Sequence, residues 1–139
     1  VIRIATTKDE IRACFPVMSQ LRTHLSEEEF VRRVVQQQKE GDYKLAALEV
    51  DGAIKAVTGF RLLRSLAWGR FLHIDDLVTD AESRSSGHGK ELLDWLQEHA
   101  RSEGCDQFHL DSGVEKSGAH HFYFREGLTI TSFHFGRRL

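Results

Sequence analysis

The middle of the chain contains three β-rich runs in succession, with turns rather than helices between them. Residues 43–50 and 53–62 are separated only by Asp51-Gly52, a dipeptide that favours the two-residue turn of a β-hairpin. A second turn around residues 67–69 leads into residues 71–79, FLHIDDLVT. Strands that are joined by such short turns pair antiparallel, so this region predicts an antiparallel sheet.

Helical patterns lie on both sides of these strands. Thr7 with Glu10, and Ser26 with Glu29, each match the S/T-x-x-E pattern of a capping box. Apolar residues at helical spacing follow both boxes, and Pro16 is expected to break or kink the first helix. A third and clearer helix begins near residue 90. Its apolar stripe consists of Leu92, Leu93, Leu96 and Ala100.

Shorter elements complete the pattern. Residues 1–5, 107–111 and 128–136 are predicted as strands, and residues 116–125 as a helix. The element order is therefore β-α-α-β-β-β-α-β-α-β. A length of 139 residues is sufficient for one domain with a core and too short for two, so we expect a single α/β (α+β) domain over residues 1–139.

Composition argues against several classes of partner. A formal net charge of −2 gives no electrostatic reason to expect a nucleic acid or a membrane surface. No apolar run approaches the ~18–20 residues of a membrane span, and no targeting leader is expected. Cys14 and Cys105 are isolated in the sequence, which favours reduced thiols in a cytoplasmic protein. Whether the chain forms a homodimer is left open.

A glycine-containing loop joins the strand over residues 71–79 to the third helix. Its sequence is RSSGHGK, residues 84–90. Because Gly87 and Gly89 have no side chain, backbone amides there can approach a ligand closely, and the helix N-terminus adds a partial positive charge. These features predict a phosphate-binding loop. Taken alone, a plain strand-to-helix turn is the alternative.

With its surroundings, this loop resembles the R-x-x-G-x-G loop of the GNAT superfamily of acyl-CoA-dependent N-acetyltransferases. The resemblance includes IDDLVTD before the loop, the Leu-rich helix behind it, and AHHFYFREGL, residues 119–128. That last segment is similar to the A-x-x-φ-Y-x-x-x-G-φ pattern of the family. The likeness covers nearly the whole chain. Its C-terminal part is similar to aminoalkylphosphonate N-acetyltransferases.

The resemblance implies the GNAT fold, a central mixed and mostly antiparallel sheet flanked by helices, with acetyl-CoA as co-substrate. It implies that a strand segment binds the pantetheine arm and that the loop binds the pyrophosphate. The cofactor-binding residues it implies are Leu77, Val78, Thr79, Arg84, Ser85, Ser86, Gly87, His88, Gly89 and Lys90. Tyr123 matches the general acid that protonates the departing thiolate; a packed aromatic between Phe122 and Phe124 is the alternative.

The sequence departs from the family pattern at three places. Lys116 stands where an Asn is frequent, and Leu128 stands where an aromatic usually follows the final glycine. The base on the fourth strand is commonly a Glu, whereas the acids here are Asp75 and Asp76. The first two changes are expected to alter contacts near the cofactor sulfur, and the third leaves the assignment of the base open.

Asp75, Asp76 and His73 compete for the role of base. Strand alternation predicts that His73 and Asp75 lie on one face and Asp76 on the other. We expect one acid to face the cleft, where it holds or deprotonates the amine, and the other to cap a neighbouring turn. We favour Asp75 for the cleft. The histidines of the chain have no metal-ligand spacing, so no metal site is predicted, although assistance by a divalent metal is left open.

These residues together predict an N-acetyltransferase that transfers the acetyl group of acetyl-CoA to a primary amine of a small molecule. A protein or peptide N-acetyltransferase and a non-catalytic acyl-CoA-binding module are the alternatives. An acceptor that also has an anionic group is expected, with Arg22, Arg61 and His134 as candidate cations.

Overall fold

The computed structural model describes residues 1–139, which divide into two compact units. The first unit is Val1–His109 and the second is Leu110–Leu139. The expectation of a single domain over the whole chain stays a prediction.

A five-stranded sheet with the order β1-β2-β3-β4-β5 forms the centre of the fold. Its strands are β1 (Ile2–Ala5), β2 (Tyr43–Val50), β3 (Ala53–Ser65), β4 (Gly69–Thr79) and β5 (Gln107–Leu110). The first four strands pair antiparallel with their neighbours. Asp51 and Gly52 have φ angles of 51° and 80°, which are the left-handed conformations of a tight hairpin turn. The predicted hairpin is confirmed.

Three helices lie between β1 and β2: α1 (Lys8–Ala13), α2 (Phe15–Met18) and α3 (Glu27–Glu40). The capping box of Thr7 with Glu10 is present, and the predicted interruption is confirmed: it lies at Cys14, so that Pro16 is in the first turn of α2. The helical spacing of Leu21 and Leu25 is misleading, however, because α2 ends at Met18. Ser19 Oγ donates a hydrogen bond to Pro16 O at 2.9 Å, a local bond that competes with continuation of the helix.

The fourth helix, α4 (His88–Ser102), follows a short 3₁₀ turn at Ala81–Ser83. The predicted apolar stripe of α4 is buried, and the helix packs against β3 and β4. Val57 belongs to the hydrophobic cluster of α1, α2 and α3, whereas Ala56 belongs to a second cluster with Leu92 of α4. Since neighbouring strand residues point to opposite faces, α1–α3 cover one face of the sheet and α4 covers the other.

The second unit contains one helix, α5 (Ser117–Arg125). It ends at Arg125; Gly127 follows with a φ of +89°, and the N–H of Leu128 donates to Tyr123 O at 2.9 Å. The strand predicted over residues 128–136 is wrong, because no residue after Arg125 belongs to a regular element. Ile130, Phe133 and Phe135 are 69%, 83% and 92% exposed, so the alternating pattern buries no face there.

None of the five helices combines the length and the apolar composition that a membrane crossing requires.

Candidate active site

One extra residue interrupts the pairing of β3 with β4. Gly59 pairs with Asp76 and Phe60 pairs with Ile74, so Asp75 has no partner across the ladder. A bulge of this kind places two consecutive residues opposite one and re-aims their side chains. Asp75 and Asp76 accordingly line the same cavity. The predicted separation of the two acids onto opposite faces is wrong, since alternation holds only in an uninterrupted strand.

The cavity lies in the first unit and has a volume of about 450 Å³, within the ~300–1,000 Å³ range of small-molecule sites. Residues of α2, α3, β2, β3, β4 and the α2–α3 connection line it. Its apolar wall consists of Met18, Leu25, Phe30 and Val34. The remaining lining is polar and largely charged.

Asp75 forms a bidentate ion pair with Arg61 of β3. Arg61 Nε donates to Asp75 Oδ2 at 2.6 Å, and Arg61 Nη2 donates to Oδ1 at 2.9 Å. The Nδ1 atom of His73 lies 2.9 Å from the same Oδ1. Burial raises the pKa of Asp75, but the hydrogen bonds from His73 and Arg61 outweigh it and hold that pKa below its ordinary value. Asp75 is therefore a stable carboxylate and a weak proton acceptor.

Asp76 is bound by a different pair of side chains. Arg22 Nε donates to Asp76 Oδ1 at 2.7 Å, and the Tyr43 hydroxyl donates to Oδ2 at 3.0 Å. Arg22 Nη2 also donates to the backbone oxygen of Asp75 at 2.9 Å. Burial, together with the charge of Asp76, raises the pKa of Tyr43 well above its ordinary value, so this phenol remains a hydrogen-bond donor. Both acids bond side chains around the cavity, and the expected turn cap is not formed.

Gly59 permits this arrangement because it has no side chain. A Cβ atom at this position would lie 1.9 Å from Tyr43 Oη and 2.6 Å from Asp76 Oδ2. Both distances are far below van der Waals contact. A glycine opposite Asp76 is thus a requirement of the Tyr43–Asp76 hydrogen bond, and the sequence pattern gave no indication of it.

The start of α4 in the loop over residues 84–90 has no side-chain cap. Ser85 and Gly87 have φ angles of 66° and 82°, and Gly87, which precedes the first turn of α4, provides no side-chain cap. Both ring nitrogens of His88 are buried without a hydrogen-bond partner. Uncapped amides at a helix N-terminus are suited to bind phosphate oxygens, so these residues fit the pyrophosphate of acetyl-CoA. Lys90 differs, because its Nζ lies 2.9 Å from Asp94 Oδ2.

The second unit contains Tyr123 on α5. Its ring lies 5.4 Å from that of Phe122, centroid to centroid, and burial raises the pKa of Tyr123 above its ordinary value. The hydroxyl is therefore protonated at neutral pH. His134, one of the three candidate cations, has its Nδ1 3.6 Å from Asp111 Oδ2 in the same unit. The other two, Arg22 and Arg61, are the partners of the cavity carboxylates.

Three further histidines contact neighbouring groups of the protein. His109 stacks on Trp68 with ring centroids 3.6 Å apart, and His99 stacks on Trp95 at 5.0 Å. His120 Nε2 lies 2.8 Å from Gly113 O. The His, Cys, Asp and Glu side chains form no group of three that could hold a metal ion.

Comparison with known sequences settles the family. The acetyltransferase (GNAT) family matches residues 5–127 of the chain. The chain belongs to this family. The match covers most of the first unit and part of the second, and the protein is accordingly an acyltransferase of the N-acetyltransferase type.

Three relatives illustrate the likeness. The uncharacterized N-acetyltransferase YhdJ of Bacillus subtilis is 40% identical over 131 residues, which cover 94% of this chain and 92% of YhdJ. An aminoalkylphosphonate N-acetyltransferase of Salmonella typhimurium is 35% identical over 66 residues, 48% of this chain and 43% of that protein.

The glucosamine 6-phosphate N-acetyltransferase of Arabidopsis thaliana is the third. It is 28% identical over 138 residues, covering 94% of this chain and 91% of the enzyme. Its crystal structure superposes with a TM-score of 0.77 at 26% identity, over 99% of this chain and 97% of that one. The predicted fold class is confirmed.

Four polar residues that line the cavity were not identified from the sequence: His24, Arg33, Gln37 and Tyr43. Helical periodicity assigns Arg33 to a solvated face, and the position of Tyr43 identifies it only as the first residue of a strand. Arg33 has one weak signal, because it lies three residues after Phe30 and one before Val34, at the edge of the apolar stripe of α3.

Proposed function

We propose that the protein transfers the acetyl group of acetyl-CoA to a primary amine of a small molecule bound in the cavity of the first unit. The observation that carries this proposal is the pair of carboxylates, Asp75 and Asp76, which the β4 bulge directs into one cavity of small-molecule size. Two carboxylates that line such a cavity offer hydrogen-bond acceptors to a ligand with an amino group.

The names of two relatives support a small acceptor. An aminoalkylphosphonate and glucosamine 6-phosphate each combine an amine with a phosphonate or phosphate group. Two unpaired cysteines, Cys14 and Cys105, support a reducing compartment such as the cytoplasm as the place of action.

In the proposed reaction the amine nitrogen forms a bond to the thioester carbonyl carbon, and the carbon–sulfur bond breaks. Asp75 and Asp76 hold and orient the amine, which loses its proton to water, since the lowered pKa of Asp75 makes that carboxylate a poor base. Tyr123 donates its hydroxyl proton to the leaving thiolate. The ordinary pKa values of a phenol and a thiol differ by only about 1.5 units, so a hydrogen-bonded phenol can serve as the proton donor even though burial raises the pKa of Tyr123.

Acetyl-CoA is assigned to the strand end and the loop that follow the bulge. Residues 84–90 provide the uncapped amides for the pyrophosphate, with Arg84 as a further cation and Ser85 and Ser86 as hydroxyl donors. Leu77, Val78 and Thr79, which continue β4 directly after the two acids, would bind the pantetheine arm.

Release of free thiol from acetyl-CoA tests the proposal. The assay compares a panel of small amines with a panel of peptides of matched amine concentration, with a no-acceptor blank. Release above the blank with small amines, and formation of the acetylated amine by mass spectrometry, is the expected result. Faster release with peptides would instead identify a peptide N-acetyltransferase, and acetyl-CoA binding without any release would identify a binding module.

A further inference from the structure

We infer that the outer part of the cavity, where His24 and Arg33 lie, binds an anionic group of the acceptor, so that the preferred acceptors are amines that also carry a phosphonate, phosphate or carboxylate. This inference rests on the proposed function and names the class of acceptor for that same cavity. We call His24, Arg33 and Gln37 the outer subsite.

The inner charges of the cavity balance one another. Asp75 pairs with Arg61 and Asp76 pairs with Arg22, two carboxylates with two guanidinium groups. The side chains of Asp75 and Asp76 are only 21% and 13% exposed, so the acids of this inner group are less accessible than the outer subsite. Because its charges balance, this inner group can accept the amino group of an acceptor by hydrogen bonds but does not attract a second positive group on that acceptor.

The outer subsite has no such balance. Arg33, whose side chain is 53% exposed, has Glu29 as its ion-pair partner, but Glu29 is shared with Arg32. One carboxylate therefore faces two guanidinium groups. Asp75 and Asp76 are the only acids that line the cavity, and both belong to the inner group. The excess charge at the outer subsite is positive.

The outer subsite also has the donors that an oxyanion needs. Arg33 and Gln37 are four residues apart on α3, and side chains at this spacing lie on one face of a helix. His24 reaches the cavity from the connection between α2 and α3. Guanidinium, amide and imidazole N–H groups from two elements can thus surround one anionic group, and guanidinium binds carboxylates and phosphates through paired hydrogen bonds.

The subsite predicts an order among four acceptors of similar length: 2-aminoethylphosphonate, β-alanine, propylamine and 1,3-diaminopropane. The wild-type protein should have the highest kcat/KM with the phosphonate, then with the carboxylate, and the lowest with the diamine. The first two arms distinguish a phosphorus oxyanion from a carboxylate as the preferred group.

Arg33→Gln is the decisive variant. It should lower kcat/KM for 2-aminoethylphosphonate by about tenfold or more, the value of a lost charge-assisted hydrogen bond, mainly through KM. For propylamine the change should stay within about twofold by the same reasoning. Arg32→Gln is the matched control, because Arg32 shares Glu29 but does not line the cavity. Because Glu29 then pairs with Arg33 alone, any loss for the two anionic acceptors should stay well below that of Arg33→Gln, and propylamine should be unaffected.

Three results would overturn the outer subsite while leaving the transferase intact. The first is a wild-type preference for propylamine or the diamine over both anionic amines. The second is an equal loss in Arg33→Gln and Arg32→Gln, and the third is an equal loss for charged and neutral acceptors, in both cases with melting temperatures unchanged. Absence of thiol release with all four amines would overturn the proposed function together with the subsite.

Discussion

The cavity of the first unit and the loop over residues 84–90 differ in whether their polar groups have hydrogen-bond partners within the protein. In the cavity, Asp75 and Asp76 have protein partners at 2.6–3.0 Å. In the loop, residues 84–87 are exposed, α4 starts without a side-chain cap, and the His88 ring nitrogens have no partner. A change at either acid, or at a residue packed against it, is therefore expected to cost stability as well as activity. A change in the loop is expected to cost ligand affinity alone.

The largest expected effect separates chemistry from both kinds of binding. Tyr123→Phe keeps the ring but removes the proton that we assign to the leaving thiolate, so kcat should fall by about 10²–10⁴-fold, the contribution of a positioned acid. The Kd for acetyl-CoA and the melting temperature should not change. Steady-state kinetics at saturating acetyl-CoA measures this effect. Turnover above about a third of the wild-type value, with chemistry rate-limiting, would remove Tyr123 from the mechanism.

The second-largest expected effect tests whether the loop over residues 84–90 binds the phosphates of acetyl-CoA. Gly89→Asp places a negative charge in the first turn of α4, which the helix dipole favours but which repels a pyrophosphate. We expect at least about a hundredfold loss of acetyl-CoA affinity, since opposing like charges cost several kcal/mol, while the melting temperature holds or rises.

Calorimetric titration and a melting curve check both halves of that prediction. Gly89→Ala is the control, because it adds a Cβ without the charge. If both variants lose affinity equally, the effect is steric and the electrostatic account of the loop fails. Unchanged affinity in a folded Gly89→Asp would mean that the loop does not bind the phosphates.

The cavity half of the contrast predicts a loss of stability. Gly59→Ala forces a Cβ against Tyr43 Oη and Asp76 Oδ2, and overpacking of this kind costs about 1–3 kcal/mol of unfolding free energy. Urea denaturation measures the loss. Gly118→Ala, where no atom lies within 4 Å of the added Cβ, is the control and should be neutral or slightly stabilising. Equal stability of the two variants would contradict the close packing at Gly59.

The smallest effect appears in the pH dependence of stability. Because the pKa of folded Asp75 is lowered, the Arg61–Asp75 pair stabilises the fold fully above the unfolded pKa of about 3.9, and this stabilisation is lost as the pH falls through the lower folded value. Asp75→Asn should cost about 1–2 kcal/mol at pH 7, and the gap to wild type should narrow in strongly acidic solution.

Denaturation curves at pH 7, 5 and 3 provide the measurement. Asp94→Asn is a suitable control because the Lys90–Asp94 pair is more than half exposed, and such surface pairs contribute about 0–1 kcal/mol. A gap between wild type and Asp75→Asn that stays constant down to pH 3 would show that the charge of Asp75 does not stabilise the fold.

Local signals predicted most of the fold. The Asp51-Gly52 turn, the capping box at Thr7 and the stripe of α4 depend on residues close together in sequence, and all three are confirmed. The strand over residues 128–136 shows the limit of such signals. A strand exists only when a neighbouring strand pairs with it, and a pattern of alternating residues does not specify that partner.

The site divides in the same way. The loop motif and the two acids were visible in the sequence, but their common orientation was not, because the bulge is a property of two paired strands. The partners of the acids come from 14 and 54 residues away, and no local pattern relates such positions. Arg33 was hidden for a similar reason, since its place at the edge of the apolar stripe separates it only weakly from the other charges on α3.

The bulge in β4 is a place where the protein can lose one residue without losing its fold. If residue 75 were deleted, Asp76 would follow Ile74 directly, and Asp76, Leu77 and Val78 would keep the faces of the sheet that they now occupy, because the bulge absorbs one residue without reversing the alternation beyond it. Loss of a single codon would then spare the core contacts of Leu77 and Val78 and remove one carboxylate from the cavity. Length variation at this one point can therefore alter the chemistry of the cavity more readily than the fold.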